Sequence, residues 1–273
     1  MFVKDPCGIA CIITTYIAVL YADHVVVRWI VLHTMPDSLW AAFHVVIFNT
    51  MMFLMIMAHL RAVCSDPGVV PLPQTRMDFS DIHSGNTDDD HERDDWTVCT
   101  RCETYRPPRA HHCRICRRCI RKMDHHCPWI NNCVGEKNQK YFIQFLVYVG
   151  ALAVYAIGLV ISSWMYECPQ CSNDIGIEQL RMLHSAILLV ESILFGLFAV
   201  AILVYQFQAI LEDETAVEKV QGVYVQRRNK HAFALLAQVC GKTHPIFWLL
   251  PCNCHGPTRY SYKRDYPLID HEV

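Results

Sequence analysis

The chain has 273 residues, of which 53% are hydrophobic and only 18% are charged. The apolar residues are gathered into long runs with the charges between them, which argues against a soluble protein. The formal net charge is −2, so the overall electrostatics predict no nucleic-acid partner.

Four apolar runs are long enough to cross a membrane, which needs about 20 mainly apolar residues. They cover residues 7–27, 39–60, 141–165 and 183–211. The first is predicted to be a true span rather than a secretory signal, because it lacks a basic n-region and Asp23-His24 is a poor cleavage context. The sequence therefore predicts an all-α polytopic membrane protein with four transmembrane helices.

The distribution of lysine and arginine predicts the orientation of these helices. The loop over residues 61–140 carries thirteen of them and the segment after residue 211 carries eight, whereas the other two loops hold only Arg28 and Arg181. Because cytosolic loops are enriched in Lys and Arg, we expect the central loop and both termini to be cytosolic.

The central loop and the tail divide further by composition. A turn is expected at Asp66-Pro67-Gly68, followed by an acidic stretch over residues 78–95 that reads as a solvated linker. The predicted organisation is helices 1 and 2 in 1–60, this linker in 61–95, a cysteine-rich domain in 96–140, helices 3 and 4 in 141–211, and a tail in 212–273.

The cysteine-rich segment has metal-ligand spacing. Seven of the fifteen cysteines and four histidines fall within residues 99–133, and three C-x2-C steps occur among them. A reducing cytosol disfavours disulfides, and two closed tetrahedral zinc sites need eight ligands. Six cysteines and two histidines supply these and leave one cysteine over, which predicts a small two-zinc domain between helices 2 and 3. An unmetallated core cluster is disfavoured in so polar a segment.

The leftover cysteine separates an enzyme from a scaffold. Spacing alone does not identify it, but Cys127 is the best candidate because it directly follows Asp124, His125 and His126. A carboxylate can orient a histidine, and the histidine can then take a proton from a neighbouring thiol. Such a thiol is partly a thiolate and therefore a nucleophile.

These motifs closely resemble the DHHC protein S-acyltransferases, or palmitoyltransferases, over most of the chain. The segment that contains the leftover cysteine reads Asp124-His125-His126-Cys127-Pro128-Trp129-Ile130-Asn131-Asn132-Cys133-Val134-Gly135. The Cys99-x2-Cys102 pair, Arg106-Pro107-Pro108-Arg109 and Asp66-Pro67-Gly68 also fit the family pattern. Two features depart from that pattern: a Thr-Thr-x-Glu motif appears as Thr215-Ala216-Val217-Glu218, and Leu235 stands where an asparagine is usual.

The resemblance implies the ligands, the catalytic residues and the reaction. One zinc would be held by Cys99, Cys102, His112 and Cys119, and the other by Cys113, Cys116, His126 and Cys133. Cys127 would carry the acyl group, with His125 as its base and Asp124 orienting His125. The donor would be palmitoyl-CoA, and the acceptors would be membrane-proximal cysteines of other proteins beside the lipid bilayer. A Golgi location is also expected from the family.

Two further site predictions concern the acyl donor. The acyl chain needs an apolar cavity between the helices, and alignment with the family puts Leu152 near the end of the chain. A basic cluster is expected either to bind the CoA phosphates, which favours arginine, or to attract anionic lipid. Its members are Arg114, Arg117, Arg118, Arg121 and Lys122.

Other polar residues carry weaker predictions. Glu191 lies within the fourth apolar run and is expected to be protonated or to bond Asn49 or His44. His111 is expected at the surface, and a disulfide is expected between Cys168 and Cys171 in a luminal loop. The roles of Cys240, Cys252 and Cys254 are left open.

Two other classes of protein also use cysteine-rich zinc sites. A membrane-anchored RING-type ubiquitin ligase needs a terminal C-x2-C pair, which is missing after Cys119. A non-catalytic zinc scaffold predicts that Cys127 is dispensable. Labelling with an acyl-CoA distinguishes all three.

Overall fold

The fold is described from a computed structural model, which covers residues 3–36, 38–72, 96–165, 174–222 and 231–251. The acidic stretch predicted over residues 78–95 lies outside the described residues. So do Cys168, Cys171, Cys252 and Cys254.

Four helices are long and apolar enough to cross a membrane, which confirms the predicted fold class. They are α1 (Pro6–Thr34), α2 (Leu39–Cys64), α3 (Gln139–Met165) and α4 (Ile175–Glu212). The helix α1 runs past the predicted end at residue 27, because Val25–Val31 continues it as a π-helix in a segment that is apolar apart from Arg28. The helix α4 begins before the predicted residue 183, because hydropathy detects only the apolar part of a helix.

Side-chain caps explain where these helices begin. The carboxylate of Asp174 accepts from the backbone N–H groups of Gly176 and Ile177 at the start of α4. Asp5 caps α1 in the same way, accepting from the N–H groups of Cys7 and Gly8. Aspartate is among the strongest N-cap residues, because its side chain satisfies N–H groups that have no partner within the helix.

The helices α3 and α4 pack closely where small residues meet. A Cβ added to Gly196 would lie 2.9 Å from the Cβ of Ala153, so this contact depends on the missing side chain. Close packing at small residues is a common source of helix association in membranes.

The cysteine-rich domain consists of three two-stranded antiparallel hairpins between α2 and α3. They are β1–β2 (Thr97–Cys99, Thr104–Arg106), β3–β4 (Ala110–Cys113, Arg118–Arg121) and β5–β6 (His125–Cys127, Asn132–Val134). Isolated hairpins this short are marginal in water, so the domain needs the additional cross-links that its cysteines and histidines offer. The sequence did not predict these hairpins.

Asparagine side chains dock this domain onto the C-terminal end of α2. The Nδ2 group of Asn132 donates to the carbonyls of Ala62, Val63 and Ser65 at 3.0–3.2 Å. The Nδ2 group of Asn138 donates to the carbonyl of Cys133 at 2.8 Å. The bonds from Asn132 satisfy carbonyls at or near the helix end, where no partner exists within the helix, and the bond from Asn138 joins the start of α3 to β6.

The described tail contains two short helices, α5 (Ala216–Gln221) and α6 (Ala232–Cys240), and a 3₁₀ turn at Pro245–Trp248. The side chain of Leu235 is buried against Ile143 of α3 and Ile210 of α4. The leucine at the position where the family usually has asparagine therefore anchors α6 by apolar packing.

Candidate active site

The structure brings together two groups of potential metal ligands in the hairpin domain. In each group, the ligand atoms lie within 4.8 Å of one another. The first cluster is Cys99, Cys102, His112 and Cys119, and the second cluster is Cys113, Cys116, His126 and Cys133. These are the two sets that the family resemblance implies.

The spacing within both clusters fits zinc. Tetrahedral zinc with sulfur ligands at about 2.3 Å and nitrogen at about 2.0–2.1 Å places neighbouring ligand atoms about 3.5–3.8 Å apart. The Nδ1 atom of His112 lies 3.6, 3.2 and 3.9 Å from the sulfurs of Cys99, Cys102 and Cys119, respectively. The corresponding distances from His126 Nδ1 to Cys113, Cys116 and Cys133 are 3.8, 3.3 and 3.7 Å.

Strand geometry explains why the ligands of the two clusters alternate along the chain. Successive side chains of a β-strand point to opposite faces. His112 and Cys113 are neighbours in β3 and therefore face different clusters. In β5 the same alternation turns His126 towards the second cluster and directs Cys127 away from it, so Cys127 is not a member of either cluster.

Cys127, His125 and Asp124 form a hydrogen-bonded series. The Nδ1–H group of His125 donates to Asp124 Oδ2 at 2.7 Å. This leaves Nε2 of His125 for the Cys127 thiol, with which the imidazole is also hydrogen-bonded. Burial alone would lower the pKa of His125, but the hydrogen bonds to Asp124 and Cys127 outweigh it and raise the pKa to about 9. This arrangement favours the protonated imidazolium form of His125.

Asp124 is held by three donors. Besides His125, the Nε2 group of Gln206 donates to Oδ2 at 2.7 Å and the backbone N–H of Ala216 donates to Oδ1 at 2.8 Å. Burial acts to raise the pKa of Asp124, but these hydrogen bonds, led by that from His125, hold it below its usual range. The side chain of Gln206 is fully buried and its Oε1 accepts from Gln139 Nε2 at 3.1 Å. Sequence reasoning did not identify Gln206, since a single polar residue in an apolar helix carries no distinctive spacing.

The variant motif at residues 215–218 makes its contacts without a second threonine. Thr215 and Glu218 form a reciprocal capping box at the start of α5, and the contact of Ala216 with Asp124 uses its backbone. Glu218 also pairs with Arg109, whose Nε lies 2.7 Å from Glu218 Oε1 and whose Nη1 lies 2.8 Å from Asp213 Oδ1. Arg109 therefore ties the hairpin domain to the segment that supports Asp124.

Cys127 opens onto an apolar cavity between the four helices. Its thiol is buried, and Leu152 of α3 lines the same cavity.

Glu191 of α4 lies in the cavity wall and has no hydrogen-bond partner among the described side chains. The expected partners of Glu191 are engaged elsewhere, because His44 bonds Tyr155 and Asn49 bonds Asp23. Other lining residues include Thr15, Ala18, Val19, Ala22, Phe48, Met52, Met55, Trp129, Phe142, Phe145, Phe195, Phe198 and Ala199.

A buried histidine in α2 connects the wall of this cavity to the loop after Cys127. His59 Nε2 lies 3.0 Å from the carbonyl oxygen of Trp129. Because a carbonyl oxygen can only accept a hydrogen bond, Nε2 of His59 carries the proton and donates it. His59 Nδ1 lies 3.0 Å from the hydroxyl of Tyr16 in α1. The network joins α1, α2 and the loop, and it was not predicted from the sequence.

The predicted basic cluster does not form one uniform surface. Arg114 and Arg117 are exposed, whereas the Nε–H group of Arg118 donates to the carbonyl of Cys116 at 3.2 Å. Arg121 lies 3.3 Å from the carboxylate of Glu136. Lys122 lines a polar pocket together with Asp124, Arg109 and Glu136.

His111, which was expected at the surface, is half-buried. Its Nε2 atom is buried without a hydrogen-bond partner in the described part of the chain. The reason is its place in β3, where it sits opposite the buried Ile120 of β4 rather than on an exposed turn.

Comparisons with known proteins agree with this geometry. Residues 92–223 match the family described as DHHC palmitoyltransferase. The chain is 34% identical over 257 residues to palmitoyltransferase ZDHHC3 of Homo sapiens, covering 92% of this chain and 82% of that protein. It is 33% identical over 261 residues to palmitoyltransferase ZDHHC7 of Mus musculus, covering 92% and 80%. It is also 34% identical over 257 residues to probable protein S-acyltransferase 16 of Arabidopsis thaliana, covering 89% and 86%.

Proposed function

The chain belongs to the DHHC palmitoyltransferase family, and we propose that its acyl transfer passes through a thioester on Cys127. Its activity is that of a protein-cysteine S-palmitoyltransferase. The observation that carries the proposal is the position of Cys127, between the His125–Asp124 pair and the mouth of an apolar cavity. A nucleophile is thereby next to both its base and a compartment for a long acyl chain.

In the first step, the Cys127 thiolate attacks the carbonyl carbon of a long-chain acyl-CoA, with palmitoyl-CoA as the main donor. The new carbon–sulfur bond forms at Cys127, the bond to the CoA sulfur breaks, and the CoA thiolate takes up a proton. His125 takes the proton from Cys127 and returns it to the leaving sulfur, while Asp124 keeps the imidazole in the tautomer that this requires.

In the second step, the thiol of a substrate cysteine attacks the acyl-Cys127 carbonyl and the Cys127 thiol is restored. Each step exchanges one thioester for another, so neither is strongly uphill. The same histidine therefore serves as base and then as acid.

We assign the two clusters to structural zinc, which closes a tetrahedron of four protein ligands and leaves no open position for chemistry. The ligands flank Cys127 on both sides, at His126 and Cys133, and so hold an irregular loop in one shape. Asp5 lies just outside the second cluster, where its carboxylate is 3.8 Å from His126 Nε2 and therefore beyond hydrogen-bond distance.

For the donor, we propose that the acyl chain occupies the cavity with its end near Leu152. Arg114 and Arg117 are exposed and can bind the CoA phosphates or anionic lipid headgroups, and Lys122 lines the polar pocket nearby. Arg118 and Arg121 are engaged within the protein and contribute less to either role.

The orientation follows from the positive-inside bias, which supports a cytosolic hairpin domain and cytosolic termini in a multi-pass membrane protein. The acceptors would then be protein cysteines close to the cytosolic surface of the bilayer. We propose a Golgi membrane as the site of action, on the resemblance alone.

The test is to incubate the purified full-length protein with labelled palmitoyl-CoA and to measure label that hydroxylamine releases. The wild type should carry a thioester, and Cys127→Ser should lose it while keeping its metal. A zinc scaffold predicts no label on the wild type. Label on Cys127→Ser equal to that on the wild type would exclude Cys127 as the nucleophile.

A further inference from the structure

The cavity beside Cys127 has one carboxyl group in an otherwise largely apolar wall. Among the described residues that line it, only Cys127 and Glu191 are ionisable. Glu191 is half-buried and has no hydrogen-bond partner in the described part of the chain. Ionisable groups at membrane depth are costly and commonly functional. The reaction proposed at Cys127 nevertheless leaves Glu191 without a role.

Glu191 lies at the end of the cavity that is farthest from the nucleophile. On α4, Gln206 bonds the catalytic aspartate, so residues with lower numbers lie progressively deeper. Glu191 has the lowest number of the α4 residues that line the cavity. Gly196 meets Ala153 of the antiparallel helix α3. Glu191 is five residues further along α4, so it lies about 7 Å deeper than that contact.

The depth of the cavity matches a long acyl chain. Its lining on α4 extends eleven residues from Ile202 to Glu191, about 16 Å along the helix axis. On α3 it extends fourteen residues from Phe142 to Ala156, about 21 Å. Three bonds of an extended chain span about 3.6 Å, so the fifteen bonds of a palmitoyl chain cover about 18 Å. The last carbons of a palmitoyl chain on Cys127 therefore reach the level of Glu191.

We propose that Glu191 forms a polar subsite at the end of the acyl cavity, and that the enzyme selects long-chain acyl-CoA with a hydroxyl group on the last carbon. This inference rests on the proposed acyl-enzyme at Cys127. The hydroxyl donates to a carboxylate oxygen of Glu191, and a protonated carboxyl can also donate to the hydroxyl, so a hydrogen bond forms in either state. The thioester exchange at Cys127 is unchanged, because the hydroxyl is remote from the reacting carbonyl.

Acyl chains should be distinguished by the polar groups that they leave unpaired. A palmitoyl chain places a methyl group against Glu191, which then loses water without gaining a partner. A hydroxyl on the last carbon replaces that lost hydrogen bond. A hydroxyl in the middle of the chain instead meets apolar side chains such as Val149 and Phe198, and a buried hydroxyl without a partner is unfavourable. Selection should therefore depend on where the hydroxyl lies along the chain.

The experiment is a competition between donors for the purified full-length enzyme in detergent. Palmitoyl-CoA competes with the same donor carrying a hydroxyl on its last carbon. Intact-protein mass spectrometry measures the acyl-enzyme at Cys127, since the two adducts differ by the mass of one oxygen atom. The wild type should favour the hydroxylated donor. Glu191→Leu should lower that preference about tenfold, because the buried hydroxyl then lacks its partner.

Two control variants and a third donor separate hydrogen bonding from packing. Glu191→Gln keeps a hydrogen-bonding side chain of similar size and should keep the preference. Glu178→Leu removes an exposed carboxyl of α4 that is not part of the cavity lining, and it should behave as the wild type does. A donor with its hydroxyl in the middle of the chain should be used less than palmitoyl-CoA by every variant. The melting temperature of each variant shows whether it is folded.

Several outcomes would overturn the inference while leaving the proposed function intact. If the wild type uses both donors equally or rejects the hydroxylated one, Glu191 is not a subsite for a hydroxyl. An equal preference in the wild type and Glu191→Leu would place the selection elsewhere in the cavity. A preference that does not depend on the position of the hydroxyl would also contradict the inference. Absence of acyl groups on Cys127 with every donor would instead refute the proposed function.

Discussion

Replacing Gln206 by leucine tests whether Asp124 is a positioning residue whose support matters for the reaction. The change keeps a side chain of similar size in a fully buried site and removes the 2.7 Å hydrogen bond to Asp124 Oδ2. A hydrogen bond to a charged group contributes about 1.5–3 kcal/mol, which corresponds to about 10- to 150-fold in rate if all of it appears in the barrier. His125 and Ala216 still hold the carboxylate. We therefore expect an effect at the lower end of this range of rates, with acylation about tenfold slower.

The assay is a single-turnover measurement of acyl-enzyme formation from palmitoyl-CoA across a range of pH. The hydrogen bond from Gln206 helps to hold the pKa of Asp124 below its usual range, so its loss should raise that pKa. Because the carboxylate form orients His125, the loss of rate on acidification should move to higher pH in the variant. Zinc content should not change, since neither cluster is touched.

The matched control is Gln144→Leu. Gln144 is also a buried glutamine, but its Nε2 donates to the carbonyls of Trp248 and Leu250 in the tail, at 2.6 and 2.8 Å. Its loss should lower the melting temperature without shifting the pH profile of acylation. A wild-type rate and pH profile in Gln206→Leu, or equal slowing in both variants, would refute the positioning role.

Three further predictions concern the metal, the base and the chain. Elemental analysis should find two zinc ions per chain, with loss of metal in Cys113→Ala but not in Cys127→Ala; one zinc per wild-type chain would contradict the two-site assignment. His125→Ala should slow acylation and keep its zinc, whereas His126→Ala should release zinc; the reverse pattern would exchange their roles. Leu152→Ala should raise the ratio of 18- to 16-carbon acyl-enzyme, because burying each extra CH₂ contributes ~0.8 kcal/mol once the cavity has space for it. The ratio is measured by mass spectrometry after competition between the two acyl-CoA donors. An unchanged ratio would show that Leu152 does not lie at the end of the cavity.

The parts of the fold that follow from local patterns could be predicted. Hydropathy over about 20 residues located the four helices, because a membrane demands a continuous apolar run. It did not give the beginning of α4, where the carboxylate of Asp174 rather than hydropathy decides the first turn. Nor did it reveal that Val25–Val31 of α1 is a π-helix, since an apolar run looks the same in either helical form.

The residues that hold Asp124 in place were not predicted, because their contacts join residues that are far apart in the sequence. Gln206 is 82 residues from Asp124, and Arg109 is 109 residues from Glu218. Isolated polar residues of this kind have no characteristic spacing. A single sequence therefore indicates a candidate nucleophile and its neighbours but not the groups that hold them.

The departure at Ala216 illustrates a rule for reading such motifs. Ala216 stands where the family pattern has a second threonine, and its contact to Asp124 comes from the backbone N–H at 2.8 Å. A backbone donor does not depend on side-chain identity, provided that the chain keeps its course there. That course is fixed by the capping box of Thr215 with Glu218 and by the pairing of Glu218 with Arg109. The contact therefore depends on Thr215 and Glu218 at the two ends of the motif and not on the side chain of Ala216, provided that the residue there preserves the helix start.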